Sequence, residues 1–460
     1  MSGQTSKPAR SLWSGKWAFI LAAAASAVGL GNMWRFPYLA AKYGGGTFLL
    51  TYVVLVFTFG LSLMILEIAI GRNTGLSAVE AFKAFGKKYA FIGLVISSVP
   101  FIITPYYCII GGWVMKYAAA YMTNTPAQIA ADGFFGSFIT SEVESFLWMA
   151  IFMALAFIIV ALGVKRGVEK ANLFMMPALI IMAVVLSIFT MMQPGALDGV
   201  AYYITPDFSK FSAELVIAAM GQMFYSLSLA MGIMITYGSY LSKKEDIVHS
   251  AVRVGGFDLG VSFLAGLMIV PASFVALGGG EAVAAKAGPS LMFGTLPVLF
   301  ESFGSAAGIV GAAFFILVFF AALTSSISLT ETCVSIIHDA TTWSRKKSLI
   351  VFIVFCVSMG VVVNMGYNRL AFIEPLGPGT SLLDLFDFVS NTVLMPIAAF
   401  LTCVFVGWIL KPQSLIDEVK LSGNFAVERV WAFMIKFAAP VFVTVILVAY
   451  VAAQFGFFSM

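Results

Sequence analysis

Residues 25–38 read ASAVGLGNMWRFPY and lie inside an apolar run from about residue 15 to residue 40. About 20 apolar residues suffice for one helix to cross a bilayer, so this run is long enough to span. Yet Gly29-Leu30-Gly31-Asn32 falls at its middle. Glycine lowers helix stability by about 1 kcal/mol relative to alanine. Backbone that unwinds at membrane depth persists only where it is buried in protein or lines a wet or liganded cavity. An unwound turn presents carbonyl oxygens that suit a cation. It also presents peptide N–H groups, at the start of the next half-helix, that suit an anion.

The whole chain fits a polytopic membrane protein. Of its 460 residues 61% are hydrophobic and 10% charged, against about 25% charged in soluble proteins. Apolar runs predict eleven spans, near 15–40, 44–71, 89–121, 146–163, 170–192, 212–241, 247–279, 308–342, 348–366, 380–410 and 430–457. The Gly/Pro-broken segment 281–303 is expected outside the membrane, where a re-entrant cap is an alternative to a span. Lysine and arginine concentrate on one side, at Lys7, Arg10 and Lys16, at Lys83, Lys87 and Lys88, and at Arg345, Lys346 and Lys347. The opposite loops hold little beyond Lys116, Lys210, Lys286 and Arg369. This bias puts the N-terminus in the cytoplasm and, after eleven crossings, the C-terminus outside. The expected setting is the cell membrane, with lipid as the surrounding partner. The first apolar run is too long for a cleaved signal peptide.

Several function classes are disfavoured. No basic stripe points to nucleic acid. Cys108, Cys333, Cys356 and Cys403 form no CxxC pair, and His249 and His338 are the only histidines, so neither a zinc site nor a nucleophile–base pair is visible and the chain is not expected to be an enzyme.

A second interruption, Ser226-Leu227-Ser228-Leu229-Ala230-Met231-Gly232, sits in span 6, five spans after the first. Paired breaks at corresponding places point to inverted repeats around a midplane site. The fold expected is therefore all-α, a 5+5 inverted repeat with helices 1 and 6 unwound. It forms a single domain, with one repeat at about 15–192, the second at about 212–410 and an extra helix at about 430–457. A zwitterionic amino acid with a sodium ion satisfies both kinds of exposed backbone group.

AVGLGNMWRFPY followed by GGGTF, YSLSLAMG in span 6 and FFAALTSSIS in span 8 resemble the neurotransmitter:sodium symporters, and specifically their bacterial, eleven-helix members. The resemblance runs from Arg10 to span 11. It implies a sodium-coupled symporter that imports a neutral, hydrophobic or small amino acid by alternating access. It also implies two sodium sites. One is made by the Ala27 carbonyl, Asn32, Ser226, Asp258 and the substrate carboxylate. The other is made by carbonyls of Ala25, Val28 and Ala321 with the hydroxyls of Thr324 and Ser325. Oxygen ligands suit a hard cation, although Thr324 and Ser325 could instead bond back to their own helix. The resemblance places the substrate carboxylate on the amides of Leu30 and Gly31 and the Tyr107 hydroxyl, and the ammonium on carbonyls near Tyr225 and Ser228. Ile103, Tyr107, Tyr225, Ala230, Met231, Ser325 and Leu329 would line the side-chain cavity.

Position 29 is Gly, where monoamine-carrying relatives have an Asp, so the substrate must bring its own carboxylate. No lysine or arginine is placed to neutralise an acidic substrate. Ala230, bulkier than the usual Gly, suggests a small cavity, and Met231 is adaptable; the preferred size stays open. Chloride-binding relatives use residues matching Tyr52, Gln222, Ser226 and Ser262. Here Asp258, one helical turn from Ser262, can supply the negative charge itself, so chloride is not expected to be required, and proton counter-movement on the return step is conceivable. Arg35 and Asp387 resemble an outer gate; Arg10 and Asp339, with Trp13 nearby, resemble an inner one. Gly167 and Pro177 resemble a motif that lets the cytoplasmic end of span 5 unwind. Glu67 is expected to accept hydrogen bonds from unwound backbone, and Glu331 to sit near the inner pathway. The alternatives are a same-fold symporter for another solute and an amino-acid-sensing receptor. Stoichiometry and oligomeric state are left open.

Overall fold

The structure, a computed structural model, describes residues 12–277, 291–455 and 457. Numbered in chain order, span 1 is the pair Lys16–Ala27 and Gly31–Lys42, bent by 53° at its break. Spans 2 to 5 are Gly46–Thr74, Lys87–Thr123, Glu142–Ala161 and Val164–Met191. Span 6 is the pair Ala213–Ser226 and Ile233–Gly238. Span 7 is Ile247–Leu277. Spans 8 to 11 are Gly304–Ala340, Arg345–Met365, Leu382–Leu410 and Glu428–Gln454. The order is the expected one, with the interruptions in spans 1 and 6. The described part of segment 281–303 forms a short helical piece, Leu291–Glu301, too short to cross. Its Phe293 is buried against Trp34, Trp113, Tyr117 and Phe135, and the Tyr117 hydroxyl donates to the Phe293 carbonyl at 2.7 Å.

Sidedness of each helix follows its sequence. On span 5, Asn172, Met176, Leu179 and Ala183 are buried, while Phe174, Ile181 and Val185 are 69%, 63% and 59% exposed. The second set is apolar, so the exposed face suits lipid rather than water. Spans 2 and 3 are largely enclosed and span 11 is peripheral, with 72%, 72% and 28% of their apolar windows buried. Span 2 packs tightly on the second half of span 6, because a Cβ on Gly71 would overlap the Ile235 carbonyl. Close approach at small residues is how membrane helices gain packing where the hydrophobic effect gives little.

The two breaks differ in how they are made. In span 1 the chain leaves the helix at Val28, whose φ is −78° and ψ 101°, and resumes with a π turn at Gly31–Arg35. In span 6 Ser228, Ala230 and Gly232 have φ of 54°, 59° and 74°. Left-handed backbone costs a non-glycine residue about 1–3 kcal/mol and persists only when the surroundings enforce it. Two side chains do so here. Glu67 Oε1 of span 2 accepts the Ala230 N–H at 2.6 Å, and the Ser228 hydroxyl donates to the Ser26 carbonyl of span 1 at 2.9 Å.

Candidate functional site

Between the two breaks lies a small cavity. Its wall includes Ala27, Leu30, Gly31, Ile103, Tyr107, Tyr225, Ser226, Ser228, Met231, Ser325 and Leu329. These come from spans 1, 3, 6 and 8, and the fold brings them together as the sequence reading grouped them. Ala230 is outside the lining: its peptide turns toward Glu67, which takes the residue away from the cavity. Sequence reading missed Ser26, Gly29 as a wall residue, and Ile233. Ser26 had a signal, being a hydroxyl within the broken stretch. Ile233 had none, because its facing depends on the path of the span 6 break.

The anion-facing side is built by span 1. The Leu30 N–H points at the Tyr107 hydroxyl at 3.4 Å, and the Gly31 carbonyl accepts Gln222 Nε2 at 3.0 Å. A Cβ on Gly29 would come 2.7 Å from Ser325 Oγ and 3.0 Å from the Tyr107 hydroxyl. No larger side chain fits there, so this wall cannot carry an acid for an amine-only ligand.

Beside the cavity is a knot of polar groups. Asp258 is fully buried in span 7. Its Oδ1 accepts Ser226 Oγ at 2.6 Å and Asn32 Nδ2 at 2.8 Å, and its Oδ2 accepts the Tyr52 hydroxyl at 2.9 Å. Asn32 Nδ2 also approaches Ser226 Oγ at 2.9 Å and Ser262 Oγ at 2.8 Å. A carboxamide has two N–H bonds and faces three acceptors here, so it cannot satisfy all of them. Its oxygen, Oδ1, accepts the Gly29 N–H at 2.9 Å, which ties the orientation of the amide to the span 1 break. A buried carboxylate without a positive partner is costly, and the groups that bond Asp258, from Asn32, Tyr52 and Ser226, are neutral. The arrangement is suited to a cation. Gln222 Oε1 is buried with no hydrogen-bond partner among the described residues. Among the described residues no group of three His, Cys, Asp or Glu side chains could hold a metal ion. The donor set is instead hydroxyl, amide, carbonyl and one carboxylate, which suits a hard monovalent ion rather than a transition metal.

The second expected cation position lies between spans 1 and 8. Ser325 Oγ reaches the carbonyls of Ser26 at 3.2 Å and Val28 at 3.4 Å, so this hydroxyl does face the break. Thr324 Oγ1 bonds back to the carbonyls of Phe320 and Ala321, both at 3.0 Å. Its lone pairs remain available, since the hydroxyl donates in both contacts. Ala25 and Ala321 are buried in their helices alongside.

Trp13 is 6% exposed; its indole N–H donates to the Tyr237 carbonyl at 3.1 Å and its backbone N–H to the Tyr240 carbonyl at 3.2 Å. Asp339 Oδ2 accepts the Ser77 N–H at 2.8 Å. Arg10, its expected partner, lies outside the described residues. Glu331, fully buried, pairs with Arg345 and accepts the Tyr240 hydroxyl at 2.8 Å. The start of span 5 is wound in a π turn, Val164–Glu169, and Glu169 Oε2 accepts the Ser14 N–H at 3.2 Å. Arg35 lies 5.7 Å from the Tyr225 ring centre. Asp387 Oδ1 accepts the Tyr106 hydroxyl at 3.0 Å and Asn391 Nδ2 at 2.6 Å.

Comparison with known proteins agrees with this geometry. The model of the Sodium:neurotransmitter symporter family matches residues 10–131 and 139–456. An uncharacterized sodium-dependent transporter of Bacillus subtilis is 31% identical, covering 94% of this chain and 96% of its own. Another from Methanocaldococcus jannaschii is 33% identical over 95% of this chain and 89% of its own. The crystal structure of MhsT in complex with L-phenylalanine superposes with a TM-score of 0.85 at 35% identity, covering 96% of this chain and all of that one.

Proposed function

The chain belongs to the Sodium:neurotransmitter symporter family and is thus a sodium-dependent membrane transporter, not an enzyme; from that premise we propose that it imports a neutral, hydrophobic or small amino acid with sodium by alternating access. The observation that carries this reading is the central cavity. Backbone amides and hydroxyls lie at one end, the buried Asp258–Asn32–Ser226 knot lies beside it, and the far wall of Ile103, Met231, Ile233 and Leu329 is apolar. A zwitterion fits the first two and a neutral side chain the third. That the structurally similar MhsT binds L-phenylalanine supports the same class.

The first sodium takes the Ala27 carbonyl, Asn32, Ser226, Asp258 and the substrate carboxylate. The second takes Ala25, Val28, Ala321, Thr324 and Ser325. Because one carboxylate serves both substrate and ion, each ligand improves the other's site, as linkage requires. Sodium favours the outward-open form; substrate then draws Tyr225 and Arg35 inward. Asp258 supplies the negative charge near Tyr52, Gln222 and Ser262, so chloride is not needed. The N-terminus is cytoplasmic and the C-terminus external in the cell membrane, on the charge bias of the loops. The domain is single, with repeats at about 15–192 and 212–410.

Uptake into proteoliposomes, with sodium, chloride and a panel of amino acids varied in turn, tests the proposal. Saturable accumulation that needs inward sodium and survives replacement of chloride by gluconate is expected. Binding without accumulation would make the protein a sensor, and collapse in gluconate would remove Asp258 from its proposed role.

A further inference from the structure

Outside Tyr225 lies a second cavity, between spans 1, 6, 10 and 11. Arg35, Tyr225, Asp387, Asn391 and Tyr450 are among its walls. Tyr225 also lines the central cavity, so its ring is the partition between them. Arg35 and Asp387 sit in this outer cavity without forming an ion pair. Asp387 is occupied by Tyr106 and Asn391, and Asn391 Oδ1 is buried with no partner.

Arg35 has another neighbour. Tyr450 shares the wall of this cavity with Arg35, Asp387 and Tyr225. Tyr450 comes from span 11, the most peripheral helix, and its ring head reaches inward over span 6 at Gly221. A Cβ at Gly221 would overlap the Tyr450 hydroxyl oxygen. Span 6 is therefore notched where the hydroxyl enters. An arginine has five N–H donors and no acceptor, so a hydroxyl oxygen on one side competes with Asp387 and the unmet Asn391 oxygen on the other.

We propose that Tyr450 is a third member of the outer gate, a positioning residue whose hydroxyl draws Arg35 toward span 11 and holds the route to Tyr225 open. On closing, Arg35 leaves Tyr450 for Asp387 and Asn391 Oδ1. One set of polar contacts is exchanged for another, which keeps the two arrangements close in free energy and lets sodium or substrate decide between them. The inference rests on the transport reading above. A hydrogen bond to a charged group is strong enough for its loss to change the ratio of open to closed molecules about tenfold.

The test uses the purified full chain carrying Thr392→Cys, a residue on the wall of this cavity. The four native cysteines are buried, and the chain without Thr392→Cys gives the background. Maleimide labelling is timed with and without sodium. In the parent, sodium is expected to speed labelling. Tyr450→Phe should slow labelling in sodium about 5–10-fold, and Gly221→Ala, which displaces the hydroxyl, should do the same. Asp387→Asn added to Tyr450→Phe should restore most of the rate, which a merely structural loss would not. Labelling unchanged in Tyr450→Phe, in a parent that responds to sodium, overturns the inference; should that variant not fold, Gly221→Ala decides alone. A parent whose labelling ignores sodium would instead count against the transport reading.

Discussion

Replacing Asp258 by Asn probes the charge balance of the site most directly. The substitution keeps the shape and one acceptor but removes the buried negative charge. Two unit charges about 4 Å apart in a medium of effective dielectric about 20 interact by about 4 kcal/mol. At about 1.4 kcal/mol per tenfold, that bounds the loss at about three orders of magnitude in sodium affinity. The amide oxygen remains a ligand, so about a hundredfold is expected. A second effect follows from the hydrogen bonds. The Tyr52 and Ser226 hydroxyls now donate to the carboxylate at 2.9 and 2.6 Å. Facing an amide, they are partly released and can donate to an anion, with Ser262 nearby. Asp258→Asn is therefore expected to acquire chloride dependence that the parent lacks. Sodium titrations of amino-acid binding by the purified protein, in chloride and in gluconate, measure both effects. A variant that matches the parent in sodium affinity and ignores chloride would refute the assignment of the charge to Asp258.

Other substitutions test separate parts of the structure. Gly29→Ala brings a methyl against Ser325 Oγ and the Tyr107 hydroxyl, so amino-acid binding should fall at least about tenfold while the protein still elutes as a folded species; binding isotherms and size-exclusion profiles check it. Glu67→Ala strips the Ala230 N–H of its acceptor and should destabilise by about 1–3 kcal/mol, with Glu67→Gln milder, as read by thermal unfolding. On the short helix Gln413–Lys420, Glu418 receives Arg72 Nε at 2.8 Å and Lys243 Nζ at 2.7 Å. Burial alone would raise its carboxyl, but bonds from Lys243 and Arg72 prevail and hold it below the ordinary carboxylate value. Its contribution is thus present above that ordinary value and lost as pH falls through the depressed one. Glu418→Ala should lower the thermal midpoint at neutral pH, because Arg72 is left buried and unpaired at a cost of about 3 kcal/mol, and the difference from the parent should shrink in acid.

The chain's own composition decided a good deal. Runs of apolar residues set eleven crossings, because no other structure hides so much apolar surface and satisfies its backbone in lipid. Gly29 and Gly31 marked one break, and the polar residues around span 6 the other. Tertiary structure decided the rest. Ser228 and Ala230 take left-handed backbone although their side chains disfavour it, since Ser26 and Glu67, 202 and 163 residues away, hold them there. That is why Ala230 leaves the cavity while Ile233 enters it. Likewise, nothing local to Tyr450 announces a place beside Arg35. Periodicity reports which residues prefer lipid or core, because that preference belongs to each side chain alone. Which groups meet across a break depends on how separate helices cross, and that is settled only when they pack.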